Sequence, residues 1–177
     1  GYNVTIFAGN FETLFVGWEL LGITSFLLIA FYRDRYLPVK NALKTISLYR
    51  LGDICLMLAL WTSHHIWHEN ITFAKLDDAE LVASHIAENY PSVIFLISMI
   101  IIAASIKSAQ FPFSSWLPRA MEGPTTSSAV FYGSLSVHLG VFLLMRTHNY
   151  WESIGLIKMI IIIMGVCTAV VATSIAR

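Results

Sequence analysis

Charged residues are scarce in this sequence. They make up 12% of its 177 residues, and 11 basic and 11 acidic side chains cancel to a formal net charge of zero. A chain without a basic surface offers little electrostatic attraction to a polynucleotide. The sequence also contains no glycine-rich loop of the kind that cradles phosphate groups. We therefore expect no nucleic-acid partner and no nucleotide cofactor.

Cysteine is almost absent as well. Cys55 and Cys167 each lie within an apolar run, where a thiol usually behaves as a small hydrophobic group. We predict neither a disulfide nor a thiol metal ligand. No bond-making chemistry is visible in the remaining sequence, so any redox or hydration catalysis is expected in partner subunits.

A group of three histidines, His64, His65 and His68, raises the question of a metal site. His64 and His68 are four residues apart and share one face of a helix. Trp61 and Trp67 accompany them, however, and tryptophan at the end of an apolar segment is typical of the interfacial belt of a membrane span. Because no acidic or thiol partner is evident, we predict no metal here.

Apolar residues dominate the composition: 56% are hydrophobic, and the mean hydropathy is +0.69. A membrane-crossing helix needs about 20 mainly apolar residues. The predicted spans are residues 11–32, 45–67, 92–111, 127–146 and 154–176, with a short amphipathic piece at 114–121. The predicted fold is an all-α, polytopic membrane helix bundle with one discontinuous helix. We expect residues 1–177 to be a single transmembrane unit from a longer protein.

The connecting segments predict an orientation in the membrane. The loop between the first two spans contains four basic residues and one acid, namely Arg33, Arg35, Lys40, Lys44 and Asp34. The positive-inside rule places that loop in the cytoplasm. The acidic loop 68–91 then lies outside. Its residues 76–89 form either an amphipathic helix, with Leu76, Leu81 and Ile86 on one side, or a plain solvated loop.

The third span is predicted to be broken by proline. Pro112 lacks a backbone N–H, and its ring clashes with the carbonyl four residues back. We therefore expect the helix to run through Lys107 and to kink or stop at Phe111. Backbone groups freed in this way are tolerated at membrane depth only against protein or water. A cation beside a broken helix is typical of ion-coupled transporters.

Lys107 and Glu19 are the residues of these apolar segments whose burial costs the most free energy. Lys107 either snorkels to the cytoplasmic interface or stays buried beside a carboxylate. Glu19 either remains protonated against a neighbouring helix or meets a cation. A direct ion pair between Glu19 and Lys107 explains both residues at once, and we favour it.

Three further polar residues lie within the predicted spans. Arg50 and Asp53 are one helical turn apart and can pair, either as a local salt bridge at the membrane surface or as part of an ion path. His138 lies in the fourth span, on a face with Ser134 and Ser136 nearby. It is either a hydrogen-bonded core residue or a proton relay, since histidine titrates nearest to neutral pH. We favour the relay.

Three strings of this sequence resemble one known family. FVGWELLGITSFLLIAFY, YRLGD and KSAQFPFSSWLPRAMEGPTTSSA are similar to the antiporter-like subunits of respiratory complex I, most closely the largest, and to the related membrane subunit of multi-subunit cation/proton antiporters. The similarity extends from about Phe11 to Arg146. It implies a fold of two inverted five-helix repeats, of which this chain covers the first, roughly the fifth to the ninth helix of the family.

The resemblance also implies roles by position. Glu19 and Lys107 match the glutamate and lysine that gate proton loading. Arg50 and Asp53 match polar residues of the next helix in the family, and Pro112 matches the helix break. No cofactor or metal site is implied within this chain.

The fourth span departs from the family pattern. His138 falls where relatives of the smaller type place a titratable lysine. The large-subunit pattern has a histidine six residues before that position, which is Tyr132 here. A phenol holds a water wire but carries a proton poorly near neutral pH. The implied proton path is Glu19, Lys107, His138 and Tyr132.

Three functions are consistent with these features. The resemblance implies a proton-conducting subunit of an NADH:quinone oxidoreductase-type complex, in contact with lipid and other membrane subunits, in a bacterial plasma membrane. PTTSS and FYGSLSVH instead resemble the membrane partner of an inorganic-carbon accumulation system, which binds a peripheral zinc protein resembling carbonic anhydrase. A non-conducting membrane scaffold is the third alternative.

Overall fold

The computed structural model describes residues 1–125, 128–129 and 135–175. Their regular structure is helical, apart from one isolated bridge between Asn10 and Thr72. The helices are α1 Tyr2–Ile6, α2 Phe11–Ile29, α3 Tyr36–Trp67, α4 Phe73–Leu76, α5 Ala79–Glu88, α6 Tyr90–Lys107, α7 Leu117–Ala120, α8 Ser136–Arg146, α9 His148–Trp151 and α10 Gly155–Ile175, and a 3₁₀ turn, Ser114–Trp116, precedes α7.

Five of the described helices, α2, α3, α6, α8 and α10, overlap the predicted spans but begin or end elsewhere. Three of them, α2, α6 and α10, are long and apolar enough to cross a membrane. α3 is 32 residues long and begins at Tyr36, nine residues before the predicted 45. Pro38 does not prevent this early start, because proline is tolerated in the first turn of a helix. The fourth predicted span is described at 128–129 and from 135 onward.

α3 and α6 pack against each other at the centre, α2 packs on α3, α8 packs on α6, and α2 and α8 also contact each other. Leu56 of α3 and Leu96 of α6 are fully buried in this core. α8 approaches α6 very closely at Gly140, where an added Cβ would lie 2.3 Å from the Ala104 carbonyl oxygen. Only glycine permits this crossing distance.

The segment between α3 and α6 folds back onto the bundle. Asp78 caps α5 by accepting a hydrogen bond from the Leu81 backbone N–H at 3.2 Å. Ile86 is buried as the amphipathic pattern predicted, but Val82 is the other buried residue of α5 and Leu81 is exposed. The prediction for Leu81 is wrong because positions four apart, 82 and 86, share the buried stripe.

α9 completes this end of the bundle. Tyr150 accepts a hydrogen bond of 2.7 Å from the Trp67 indole N–H. Burial raises the pKa of Tyr150 to about 12. The Asn149 amide donates to the carbonyl of Leu76 at 2.6 Å. The loop after α3 is thus fastened to the turn before α10 and is not a plain solvated loop.

The third predicted span ends earlier than expected. α6 stops at Lys107, whereas the proline argument placed the end at Phe111. Pro112 lies in the non-helical segment beyond this end, and the carbonyl four residues before it belongs to Ser108, the C-cap residue of α6. This correction places Lys107 at the last helical position, where its backbone carbonyl begins the irregular segment.

A Schellman motif closes α6. Ala109 has a left-handed φ of 52°. Its N–H donates to the Ile106 carbonyl at 3.3 Å, and the N–H of Gln110 donates to the Ser105 carbonyl at 2.9 Å. These two bonds satisfy carbonyl groups that the end of a helix otherwise leaves without partners. The helix therefore ends in a regular capping motif just before the segment that contains Pro112.

Candidate intramembrane ion site

Lys107 lies inside the bundle and does not reach the surface. Its residue is 1% exposed. The ammonium donates a hydrogen bond of 3.2 Å to the main-chain carbonyl of Trp18. It also lies 4.9 Å from the centre of the Trp18 ring and 4.3 Å from the centre of the Tyr49 ring. Two aromatic rings and a carbonyl thus surround the charge, a combination that attracts cations in a desolvated site.

The space for this ammonium is provided by Gly22, one turn after Trp18 on α2. A Cβ at position 22 would lie 3.3 Å from the Lys107 Nζ and 3.7 Å from Cδ2 of Tyr49. Any larger residue would therefore press on the ammonium. The pairing of a small residue with a long buried side chain fixes where the charge lies.

Glu19 does not contact Lys107. Its carboxylate instead pairs with the Arg50 guanidinium, with N–O distances of 2.9 and 2.8 Å. The predicted direct ion pair between Glu19 and Lys107 is therefore wrong for this structure. A guanidinium offers two parallel donors that match both carboxylate oxygens, whereas an ammonium is a point charge.

Arg50 also approaches Asp53, as their spacing of one turn predicted. The Arg50 Nη1 lies 3.5 Å from an Asp53 carboxylate oxygen. The other Asp53 oxygen accepts a hydrogen bond of 3.0 Å from the Trp18 indole N–H. Asp53 is 5% exposed, while the Arg50 side chain is 46% exposed. The partly exposed Arg50 guanidinium therefore pairs with two carboxylates, and Asp53 is the more deeply buried of the two.

Trp18 joins the two halves of the site, which are the group formed by Glu19, Arg50 and Asp53 and the Lys107 ammonium. Its indole N–H holds Asp53, and its carbonyl and ring hold Lys107. The carboxylates of Asp53 and Glu19 attract the charge on Lys107, and the Arg50 guanidinium repels it. A change in the charge of one half therefore alters the electrostatic environment of the other half.

The connection from this site to α8 passes through Tyr49. The Tyr49 hydroxyl lies 3.4 Å from the Ser136 hydroxyl, and both residues are buried. His138 lies two residues further along α8 on an exposed face. Residues two apart on a helix point in nearly opposite directions, so His138 is turned away from Lys107. Tyr132 lies outside the described residues.

The segment after α6 is held by contacts from two other parts of the chain. The Trp116 indole N–H donates to the Ile106 carbonyl at 2.9 Å. The Phe111 N–H donates to the Thr168 hydroxyl of α10, also at 2.9 Å. Backbone groups exposed by the break thus find protein partners, as membrane depth demands.

Sequence reasoning missed three residues of this site: Trp18, Tyr49 and Ser136. Trp18 and Tyr49 each precede an identified ionisable residue in the chain, and adjacency to a charge was the only available signal. Ser136 carried no signal of its own, because a serine in an apolar helix usually bonds to its own backbone.

The described residues contain no cluster of three His, Cys, Asp or Glu side chains suited to a metal ion. His64 lies 3.1 Å from the Asn70 side-chain oxygen, and His65 stacks on Trp61 with ring centres 6.0 Å apart. The two imidazoles thus contact an asparagine and a tryptophan of the same chain.

A helix bundle with a buried lysine at a helix break, beside an arginine shared by two carboxylates, defines a polytopic membrane protein that holds ionisable groups within its interior. The family described as NADH:quinone oxidoreductase/Mrp antiporter, TM matches residues 8–177. The chain belongs to this family and is an integral membrane protein.

Individual relatives are consistent with this membership. NADH-ubiquinone oxidoreductase chain 5 of Yarrowia lipolytica is 34% identical over 173 residues, 98% of this chain and 26% of the relative. Chain 5 of Petromyzon marinus is 38% identical over 177 residues, 96% of this chain and 27% of the relative. The chain therefore spans about a quarter of the length of these curated relatives.

A solved structure has the same fold. The Mrp complex from Dietzia sp. matches with a TM-score of 0.71 and 28% identity, over 81% of this chain and 15% of that one. The resemblance inferred from the sequence, and the predicted class of an all-α membrane bundle with a discontinuous helix, are both confirmed by these matches.

Proposed function

We propose that this chain forms a proton half-channel in an antiporter-like subunit of an energy-converting membrane complex, and that Lys107 is the group that is loaded and emptied. The observation that carries the proposal is the burial of Lys107 at the end of an interrupted helix, without a carboxylate in contact. A lysine in such surroundings changes its protonation state readily when a neighbouring charge moves.

The carboxylates supply that moving charge. In this structure Glu19 is held by Arg50, and Lys107 rests on the Trp18 carbonyl. A carboxylate that leaves Arg50 and approaches Lys107 stabilises the protonated lysine, and its return to Arg50 promotes release. This arrangement of side chains corresponds to the releasing state. Glu19, Arg50 and Asp53 act as the controlling group, and the roles of His138 and Tyr132 further along the path stay predictions.

The partners follow from the relatives. Their names refer to subunits of an NADH-ubiquinone oxidoreductase and to an Mrp complex. We propose that this chain likewise works among other membrane subunits and lipid, and that electron transfer, where present, takes place in those partners. The bacterial plasma membrane remains our predicted location. The inorganic-carbon system with its peripheral zinc protein also stays a prediction, since none of these relatives is named for it.

The proposal is tested by proton flux in vesicles that contain the full-length parent complex. Lys107→Ala and Glu19→Ala are compared with the parent, and assembly is measured separately by native electrophoresis. Lys44→Ala is the matched control, because Lys44 is an exposed lysine on α3. We expect both test variants to assemble and lose flux while the control retains it. Parent-level flux in assembled Lys107→Ala would show that the lysine is structural and would favour the scaffold alternative.

A further inference from the structure

Tyr49 occupies the position between Lys107 and α8. Its ring lies beneath the Lys107 ammonium at 4.3 Å, and it packs edge-on against Trp116 with ring centres 5.0 Å apart. The hydroxyl at the far end of the ring reaches Ser136 at 3.4 Å. One side chain therefore contacts both the buried cation and a hydroxyl of the next helix.

The position of Ser136 depends on how closely α8 approaches α6. Gly140 lies one turn after Ser136 and faces the Ala104 carbonyl, where no side chain would fit. Residues four apart share a helix face, so the close approach at Gly140 also brings Ser136 toward the centre of the bundle. His138 lies between them in sequence and on the other side of α8. The interior face of α8 thus presents a hydroxyl.

We propose that the hydroxyl pair of Tyr49 and Ser136 passes the proton between Lys107 and the α8 side of the path. This inference rests on the proposed function, since it assumes that Lys107 exchanges a proton. It assigns the step between α6 and α8 to two neutral side chains that the sequence pattern had not placed on the proton path.

The step balances as a chain of single transfers. Lys107 gives one proton to a bridging water molecule, which gives one of its own to the Tyr49 oxygen. Tyr49 releases its original hydroxyl proton to Ser136, and Ser136 releases its own to water on the α8 side. Each oxygen gains one proton and loses one, while Lys107 becomes a neutral amine that must be reloaded. Because a hydroxyl is both donor and acceptor, neither residue has to ionise.

The experiment measures proton flux in vesicles that contain the full-length parent complex. Tyr49→Phe keeps the ring beneath Lys107 and removes only the hydroxyl, and Ser136→Ala removes the hydroxyl of its partner. Ser136→Thr restores a hydroxyl at the same position. Tyr90→Phe is the matched control, because Tyr90 is an exposed tyrosine at the start of α6. Lys107→Ala is included as the test of the proposed function.

We expect Tyr49→Phe and Ser136→Ala to assemble normally and to slow proton flux by roughly tenfold or more, as is typical of a lost proton-transfer group. Ser136→Thr should recover part of the flux, and Tyr90→Phe should match the parent. If Lys107→Ala abolishes flux while Tyr49→Phe and Ser136→Ala keep the parent rate, the hydroxyl relay is wrong and the proposed function stands. If Lys107→Ala itself keeps the parent rate, the proposed function fails and the relay fails with it.

Discussion

The ammonium of Lys107 donates a hydrogen bond of 3.2 Å to the main-chain carbonyl of Trp18. The next residue after Trp18 is Glu19, whose carboxylate points away and binds Arg50. A backbone carbonyl, which is always present and never titrates, thus receives the cation where the sequence had suggested a carboxylate. The carboxylate remains available to move, and the lysine has a resting position that does not depend on it.

Trp18→Phe tests the link between the two halves of the site. The substitution keeps an aromatic ring near Lys107 but removes the indole N–H that donates to Asp53 at 3.0 Å. A buried carboxylate that loses one such hydrogen bond is destabilised by about 1.5–3 kcal/mol. We expect a lower thermal unfolding temperature of the purified parent complex, measured by differential scanning fluorimetry.

Trp61→Phe is the control for that measurement, since Trp61 is largely exposed in this chain. It should leave the unfolding temperature close to that of the parent. An equal decrease in both variants would mean that the Asp53 hydrogen bond contributes nothing specific.

Gly22→Ala tests whether the space around the ammonium is needed. The added methyl group would lie 3.3 Å from the Lys107 Nζ, so the lysine must shift by a few tenths of an ångström. We expect reduced proton flux with little loss of assembly, because the Lys107 side chain is long enough to adjust. Vesicle flux normalised to assembled complex is the appropriate measurement.

The same change at Gly165 serves as the comparison. Gly165 lies in α10 with nothing within 4 Å of an added Cβ, and alanine has the higher helix propensity. Gly165→Ala should keep the parent flux. Were Gly22→Ala to conduct like Gly165→Ala, the packing at Lys107 would be looser than the structure indicates.

The sequence predicted where the long apolar helices lie but not where they end, and it drew attention to the ionisable residues that lie within them. Long apolar segments specify membrane helices through composition alone, and Arg50 and Asp53 lie close because their spacing on one helix requires it. The partner of Glu19 was not predictable, because it depends on the rotation of α2 against α3. Spacing within one chain segment carries no information about such a rotation.

The end of α6 was mispredicted for a different reason. Ala109 adopts a left-handed conformation that glycine or asparagine usually occupies. Because an alanine stands at this position, the sequence contained no indication of the Schellman motif. Tyr49 and Ser136 were missed because their contact depends on the close approach at Gly140. A single glycine in an apolar helix has many possible roles, and only the packing of α8 against α6 selects among them.

Thr168→Val tests how the irregular segment is held. Thr168 accepts the hydrogen bond from the Phe111 N–H, and Ile157 is the only buried residue among those described in α10. Valine matches threonine in shape and lacks the hydroxyl, so the segment loses one hydrogen bond, which contributes about 0.5–1.5 kcal/mol. We expect faster proteolytic cleavage within the segment 108–116 and a reduced proton flux.

Thr168→Ser keeps the hydroxyl and loses only a methyl group, so it should retain the parent proteolysis pattern. If the serine variant were cleaved as fast as the valine variant, the hydrogen bond to Phe111 would not be what holds the segment in place.

Gly140→Ala tests the crossing on which the relay to α8 depends. An added Cβ would lie 2.3 Å from the Ala104 carbonyl oxygen and 2.9 Å from the Ser108 side chain, so α8 has to move away from α6. Forced overpacking of this kind costs about 1–3 kcal/mol. The displacement would also separate Ser136 from Tyr49. We therefore expect a lower unfolding temperature together with a loss of proton flux in the complex that still assembles.

Gly155→Ala provides the contrast, because Gly155 has nothing within 4 Å of an added Cβ. It should change neither the unfolding temperature nor the flux. If Gly140→Ala lowered the unfolding temperature but left flux at the parent rate, the Tyr49–Ser136 contact would be dispensable for proton transfer. The packing of α8 against α6 would then serve stability alone, and the proton would have to leave Lys107 by a route that does not cross to α8.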